Sequence, residues 1–231
     1  MLELFPEGFE EHDEADGLEL APYTDASGEE RLWAAFGRVA SESVPAGWEQ
    51  RWREFHRPAR IGPLWIGPPW ERPDGELSVI IDPGRAFGTG AHPTTRLCLE
   101  LLLELVPTSL LDVGCGSGVL AVAAAKLGFE PVIALDHDPA AVEATTRNAE
   151  ANDVALDVRR GEAFSGEPPA AAVTVANVTG DLVRRLAPRL FSNALITSGY
   201  LEFDEPELPG FLRAERRTAQ GWAADLFRRE E

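Results

Sequence analysis

The segment Leu110-Leu-Asp-Val-Gly-Cys-Gly-Ser-Gly118 carries the strongest structural signal in this chain of 231 residues. An apolar run follows it, and the chain then reads Ala134-Leu135-Asp136. This order predicts a buried strand, a glycine turn, a helix and a second strand that ends in an acid. A unit of this kind binds the adenosine half of a cofactor.

The glycine spacing narrows the choice of cofactor. The dinucleotide fingerprint requires glycine at position 119 after Gly114 and Gly116, but the chain has Val119 there and places Gly118 one position earlier. No Gly-Lys-Ser/Thr sequence occurs, which excludes the phosphate-binding loop of nucleotide hydrolases. Asp112, two residues before the first of three alternating glycines, instead resembles the S-adenosylmethionine loop of a methyltransferase. That cofactor has no pyrophosphate and does not need the dinucleotide spacing.

Length and composition set the outer limits of the fold. The chain is long enough for one substantial domain, or for one domain with a small appendage, and 44% apolar residues suffice for a packed core. Charged residues interrupt the longest apolar runs, so no membrane span is expected. Cys98 and Cys115 are too few for a disulfide framework, and no secretory leader opens the chain, so a cytoplasmic location is expected.

The formal net charge of −18 points to the kind of partner. Lys126 is the only lysine, and residues 1–30 hold eleven acids and no Lys or Arg. Phosphate contacts dominate nucleic-acid affinity, so direct nucleic-acid binding is disfavoured. A basic protein or a cationic small molecule is the better partner, although the acids can equally form a solvated face.

Residues 1–57 are predicted to form a small N-terminal domain with α+β structure. Its expected elements are a strand over 18–21, a helix over 29–38 and an amphipathic helix from about residue 46, which carries Trp48, Trp52 and Phe55 as packing residues. Another strand is expected over 60–66. Residues 58–77, which end in a Pro/Gly-rich stretch, are interpreted as a linker.

Residues 78–231 alternate between strand and helix patterns, which predicts a parallel sheet covered by helices. Strands are expected near 78–82, 109–113, 131–136, 155–159, 171–177 and 193–198. Helices are expected near 93–106, 117–127, 139–151 and 179–190. Residues 211–218 and 222–228 are predicted to form an antiparallel pair. A mostly parallel sheet closed by such a pair is the methyltransferase version of the doubly wound fold. The expected fold class is accordingly α/β, a doubly wound, mostly parallel seven-stranded sheet with an antiparallel C-terminal edge.

Asp112 and Asp136 are the acidic candidates for cofactor binding, together with the glycine-loop residues Gly114 and Gly116. Asp112 ends its strand where it can meet the cationic amino end of the methionine moiety, although it can also simply cap the turn. Asp136 lies 22 residues after Gly114, the position from which an acid reaches the ribose hydroxyls.

Three further residues are given local roles or left open. Asp138 precedes Pro139 and is assigned as the cap of the next helix. Glu162 follows the third strand and can face the adenine or the solvent. Cys115 is interpreted as a small packing residue rather than a nucleophile.

Residues 82–95 form a second loop, rich in glycine and hydroxyl groups, that leads into a helix at Pro93. Free N–H groups at a helix start suit a carboxylate such as that of the cofactor's methionine end. Phe87, Thr89 and Thr95 are the cofactor-binding candidates from this loop. Alternatively, Pro93 can be an ordinary first-turn residue and His92 an ordinary loop residue. Because His92 has no Cys or His at ligand spacing, no metal site is expected.

Asn177 ends the buried strand predicted near 171–177. Its amide can accept an N–H from an incoming amine and thereby aim the amine lone pair at a methyl group, which makes Asn177 the catalytic candidate. A turn residue is the alternative, since Asn favours turns.

These motifs together resemble the family that methylates the large-subunit ribosomal protein L11. The specific match is Asp82-Pro-Gly-Arg-Ala-Phe-Gly-Thr-Gly-Ala-His-Pro-Thr-Thr95, supported by the glycine loop, Asp136-His-Asp-Pro139 and Val175-Ala-Asn177. The resemblance covers roughly residues 44–231. It implies S-adenosylmethionine as cofactor, a basic ribosomal protein as substrate, and cofactor contacts from Thr95, Gly114, Asp136 and Asn177.

The resemblance is weakest on the substrate side. Family members carry a longer N-terminal recognition domain with a ferredoxin-like fold, and this chain is expected to begin partway through it. Val178-Thr179 replaces a bulkier apolar pair. A different protein or a small amine is therefore an alternative acceptor, and a non-catalytic cofactor-binding module is an alternative function. A nucleic-acid methyltransferase is disfavoured by the acidic charge and by the lack of Asn-Pro-Pro-Tyr after the fourth strand.

Overall fold

A computed structural model of the protein describes residues 10–14, 17–21, 26–37, 39, 57–73, 75, 77–82, 90–163 and 167–230. The chain divides into two units, Met1–Gln50 and Arg51–Glu231.

The described part of the first unit contains two strands and a helix. These are β1 (Glu10–Glu14), β2 (Gly17–Ala21), which pairs with β1 in antiparallel fashion, and α1 (Ala26–Phe36). The strand predicted over 18–21 and the helix predicted over 29–38 are confirmed, with the helix starting earlier. On α1, Leu32 is buried whereas Trp33 and Phe36 are exposed. The amphipathic helix expected from residue 46 lies outside the described residues, and the recognition role of this unit stays a prediction.

A three-stranded sheet opens the second unit. It consists of β3 (Ala59–Ile61), β4 (Leu64–Gly67) and β5 (Leu77–Ile80), with β4 antiparallel to β3 and parallel to β5. The single strand predicted over 60–66 is wrong, because Gly62, at φ +55°, turns the chain between two strands. The segment interpreted as a linker, 58–77, thus contains β3 and β4.

The main sheet has seven strands. They are β6 (Leu110–Val113), β7 (Val132–Asp136), β8 (Asp157–Arg160), β9 (Val173–Asn177), β10 (Ala194–Leu201), β11 (Phe211–Ala219) and β12 (Trp222–Arg229). Their order is β11-β12-β10-β9-β6-β7-β8, in which only β12 runs antiparallel to the others. The predicted fold class is confirmed. The strand expected near 78–82 is β5, however, and lies in the smaller sheet.

Helices cover both faces of the main sheet. They are α2 (Pro93–Leu102), α3 (Val119–Lys126), α4 (Pro139–Ala151) and α5 (Gly180–Leu186), which continues as a 3-10 turn (Ala187–Arg189). Leu110 packs into the core formed with α2 and α3, whereas its neighbour Leu111 packs into the core formed with α5. Ile66 and Val79 of the smaller sheet join the first of these cores, which explains why β5 does not extend the main sheet. The central strands β6, β7 and β9 of the main sheet are buried on both faces, so they are largely apolar in sequence, whereas the outer strands β8 and β11 are mostly exposed or half-buried and carry charged residues.

The strand order places a crevice at the carboxyl ends of β6 and β9. The chain passes from β6 through β7 to β8 on one side and then returns to place β9 on the other side of β6. Open parallel sheets bind ligands at such a reversal of strand order. Within the described residues, no helix is long and apolar enough to cross a membrane.

Candidate functional site

The glycine loop between β6 and α3 lies tightly against two neighbouring elements. Gly114 has φ +73°, and a Cβ atom at this position would lie 2.8 Å from Cγ1 of Val178, just after β9. Gly118 has φ +80°, and a Cβ atom there would lie 2.7 Å from Cγ2 of Thr145 on α4. Both positions therefore require glycine, for backbone conformation and for space.

Asp136 holds this loop to the end of β7. Its Oδ2 accepts the N–H of Gly116 at 3.0 Å, and its Oδ1 accepts the N–H of Asp138 at 3.0 Å. The carboxylate is mostly buried, yet its two oxygens have lone pairs beyond those two bonds. Asp136 therefore has the acceptor capacity that ribose hydroxyls need, and its cofactor role stays a prediction.

Two acids that follow Asp136 in the chain, Asp138 and Glu162, differ in their contacts. Asp138 caps α4, because its Oδ1 accepts the N–H of Ala140 at 2.9 Å, which confirms its local role. Glu162 is exposed, and a contact with adenine stays a prediction.

Asp112 is a buried carboxyl group at the end of β6. Its Oδ2 accepts the N–H of Ala121 at 3.1 Å, in the first turn of α3, whose N-cap Gly118 has no side chain to offer. This hydrogen bond shows that Asp112 does cap the turn, which was the alternative to cofactor binding. Burial raises the pKa of Asp112 to about 7, the Ala121 N–H opposes this shift, and the negative charge of Asp136 adds to it. A cationic group beside Asp112 would relieve that cost, and a contact with the amino group of the cofactor stays a prediction.

Asn177 is joined to the start of α2 by hydrogen bonds between distant parts of the chain. Its Nδ2 donates to Oγ1 of Thr94 at 3.1 Å and to Oγ1 of Thr95 at 3.4 Å. With the amide nitrogen bound in this way, the carbonyl oxygen lies on the other side of the amide group. The structure therefore brings together two predicted residues, Asn177 and Thr95, and adds Thr94.

His92 completes this network. It is the N-cap of α2, and its Nδ1 lies 2.7 Å from Oγ1 of Thr94 and accepts the Thr94 N–H at 3.4 Å. The ring also makes an edge contact with Trp222, with centroids 5.0 Å apart. His92 is therefore the cap of α2, and the alternative that it is an ordinary loop residue does not hold. The available sequence signal was its position directly before Pro93 at a helix start.

A buried polar stripe on α4 was also missed. Thr145, Asn148 and Asn152 are all buried. Asn148 donates to the carbonyl oxygen of Ser117 in the glycine loop at 2.8 Å. Asn152 bonds the backbone N–H and C=O of Ile80 in β5 at 2.8 and 2.6 Å. Polar residues three and four apart on an alanine-rich helix were the signal, since such spacing marks one helix face.

Cys115 is a packing residue, as predicted. It is buried, and the Thr145 hydroxyl lies 3.3 Å from its sulfur. Burial raises the pKa of its thiol to about 12, so the thiol stays protonated and unreactive near neutral pH. Phe87 and Thr89 lie outside the described residues, and their cofactor contacts stay predictions.

The fold and the site together define a class of protein. A seven-stranded sheet whose only antiparallel strand lies near the C-terminal edge, with a glycine loop after β6 and acids ending β6 and β7, is the methyltransferase form of the doubly wound fold. The family model described as "Ribosomal protein L11 methyltransferase (PrmA)" matches residues 16–212. The chain belongs to this family.

Individual relatives agree with the family match. A ribosomal protein L11 methyltransferase from Vibrio campbellii is 43% identical over 183 residues, which cover 73% of this chain and 61% of the relative. A ribosomal protein L11 methyltransferase from Klebsiella pneumoniae is 40% identical over 205 residues, which cover 85% of this chain and 67% of the relative. A crystal structure of a ribosomal protein L11 methylase from Lactobacillus delbrueckii superposes with a TM-score of 0.69 at 26% identity, over 76% of this chain and all of that one. The chain thus spans about three fifths to two thirds of the length of these curated relatives.

Asp112 should make the stability of the ligand-free protein depend on pH. Its pKa is raised to about 7 in the folded chain, so the unfolded chain loses this proton first and the free energy of unfolding falls between about pH 4 and 7. Asp112→Asn keeps the bond to Ala121 and removes this loss. Urea unfolding should show that the free energy of unfolding of the variant, relative to that of the wild type, is higher at pH 8 than at pH 5. The expected gain is about 1.4 kcal/mol per pKa unit. Equal pH dependence in both proteins, with the exposed Asp138→Asn as control, would contradict this.

His92 should be neutral at pH 7, with its proton on Nε2. Nδ1 must accept the Thr94 bonds, and burial lowers the pKa of His92 below 6.5. The neutral ring therefore contributes stability above about pH 6.5, which is lost as the pH falls through the lowered pKa. Nitrogen-15 NMR of the ring should show this tautomer and a pKa below 6.5. A proton on Nδ1 of the neutral ring, or a pKa above 6.5, would refute the arrangement.

Proposed function

We propose that the chain is an S-adenosylmethionine-dependent N-methyltransferase that modifies amines, lysine side chains or an N-terminus, of a large-subunit ribosomal protein. Ribosomal protein L11, named for the relatives, is the first candidate. The observation that carries the proposal is the grouping of Asp112, Asp136 and Asn177 around one glycine loop, at the carboxyl ends of three adjacent strands. We place the reaction in the cytoplasm, where ribosomal proteins are made.

The residues present fit the cofactor. The buried carboxyl of Asp112 suits the ammonium group, and Asp136 has the lone pairs to accept ribose hydroxyls. The glycine loop lets the backbone approach a ligand closely. The first turn of α2, with Thr95 beside it, suits the carboxylate. When bound, S-adenosylmethionine supplies an electrophilic methyl group on a sulfonium cation.

Asn177 orients the acceptor. Because Thr94 and Thr95 bind its Nδ2, its Oδ1 is the atom that can accept an N–H from an incoming amine. That hydrogen bond would point the nitrogen lone pair at the methyl carbon. His92 and Thr94 hold the amide in this orientation and are positioning residues. Orientation of this kind, together with exclusion of water, supplies most of the rate enhancement.

The amine must be neutral to react. A free lysine has a pKa of about 10.4, so about one in a thousand is unprotonated near neutral pH. A positive charge beside the amine lowers that pKa and raises the neutral fraction. His92 accepts a hydrogen bond from Thr94, so it serves to hold Asn177 rather than to remove a proton from the amine.

A second acceptor is worth testing because the chain spans only part of its relatives' length. A different basic protein or a small amine would use the same cofactor site. Cofactor binding without any transfer would instead indicate a binding module.

The proposal predicts transfer of a labelled methyl group to one basic ribosomal protein. Ribosomes from cells that lack this methylation, incubated with the chain and radiolabelled cofactor, should yield one labelled protein band that mass spectrometry identifies. Asn177→Ala should reduce the rate at least about tenfold, since it removes the oxygen that orients the acceptor amine. Label in RNA, or label in no protein, would overturn the proposal.

The pH profile gives a second readout of the same assay. The rate should rise from pH 6 to pH 9, because the neutral amine fraction and the ionised fraction of Asp112 both increase. Asp112→Asn should retain only the rise due to the amine. A flat profile would contradict an amine acceptor.

A further inference from the structure

The loop that leads from β10 toward β11 carries exposed apolar side chains at the edge of the site. We propose that residues 201–207, here called the rim loop, dock a Lys/Arg-rich segment of the protein being methylated. This inference rests on the proposed function, since it names the surface that selects the substrate.

The rim loop lies beside the acceptor side of the site. In the ladder between β9 and β10, Ser198 is the direct partner of Asn177. At Gly199, φ is +98°, and a Cβ atom would lie 2.3 Å from the carbonyl oxygen of Val178. The chain that enters the rim loop therefore touches the residue that follows Asn177. Leu201, the first residue of the loop, pairs with Trp222, whose ring contacts His92.

Several hydrogen bonds fix the shape of the rim loop. Nη2 of Arg216 donates to the carbonyl oxygens of Glu202 at 2.8 Å and Asp204 at 3.0 Å. The N–H of Glu202 donates to the carbonyl oxygen of Gly221 at 2.9 Å. The Asp204 carboxylate pairs with Arg184 on α5 at 2.6 Å. A loop ordered in this way loses little entropy when a partner binds.

Phe203 is the feature that folding does not explain. Its side chain is 80% exposed although the backbone on either side is held by Arg216, and Leu201 is 39% exposed. An exposed aromatic side chain on a backbone that is already held in place is typical of the anchor residues of protein interfaces. Phe191 is 70% exposed but precedes β10, at the edge of the sheet opposite the site. It therefore provides a matched control.

The charges around Phe203 favour a cationic partner. Residues 190–212 contain no Lys or Arg. Asp204 and Glu205 are paired with arginines, whereas Glu202 and Glu207 are exposed and form no ion pair with another described residue. Lysine and arginine side chains bind both aromatic faces and carboxylates. With a net charge of −18, the chain would repel an acidic peptide or RNA, so a basic protein segment is the occupant.

The test measures binding of two probes to the full chain. The first probe is ribosomal protein L11 from cells that do not methylate it, and the second is fluorescein-labelled octalysine. Phe203→Ala should raise the Kd for L11 at least about tenfold, whereas Phe191→Ala should change it no more than about twofold. The double variant Glu202→Gln, Glu207→Gln should raise the Kd and flatten its salt dependence. Unchanged thermal melting will confirm that the variants are folded.

The outcomes separate this inference from the proposed function. If the Kd for Phe203→Ala stays within about twofold of the wild type, or equals that for Phe191→Ala, the rim loop is not a docking surface. If L11 does not bind the wild type, the Kd values of the same variants for octalysine are compared instead. If the wild type binds neither probe, the inference is wrong. Methyl transfer is measured in the same preparations. If binding depends on Phe203 but no methyl group is transferred, only the proposed function is refuted. If methyl groups are transferred and Phe203→Ala binds as the wild type does, only the role of the rim loop is refuted.

Discussion

The hydrogen bonds of the Asp136 carboxylate are the interaction on which the rest of the site depends. One oxygen accepts the Gly116 N–H and the other accepts the Asp138 N–H, so one side chain fixes both the glycine loop after β6 and the turn after β7. With the loop held there, Gly114 lies directly against Val178, and the end of β9 must lie beside it. Asn177 is thereby positioned next to the glycine loop.

The same arrangement makes the ionised form of Asp112 unfavourable. Two carboxyl groups end neighbouring strands, and the more deeply buried one has a pKa raised to about 7. Its single backbone bond from Ala121 offsets only part of the burial penalty. A ligand that carries a positive amino group would stabilise the ionised carboxylate, which is unfavourable when no positive charge lies beside it. Under the proposed function, ligand binding and stability would therefore be linked through Asp112, and such perturbed residues are common at functional sites.

Local signals were enough to predict some parts of the structure but not others. The glycine loop and the cap at Asp138 followed from short motifs, because neighbouring residues determine them. The order of the strands in the sheet could not be derived from such motifs and comes from the structure. The turn at Gly62 was missed because Ile61 and Leu64 to Ile66 are apolar, although Gly62-Pro63 between them is a local turn signal. The bonds from Asn177 to Thr94 and Thr95 join residues 83 and 82 positions apart, so only the assembled sheet brings them together. The placement of β5 likewise depends on Asn152, which reaches it from α4.

The most direct measurement is a crystal structure of the chain with S-adenosylhomocysteine, the product of methyl transfer. The account predicts the ligand at the carboxyl ends of β6 and β9, with its amino group near Asp112, its ribose on Asp136 and its sulfur facing Asn177. A ligand bound elsewhere, or one whose ribose and amino group contact neither carboxylate, would contradict the account.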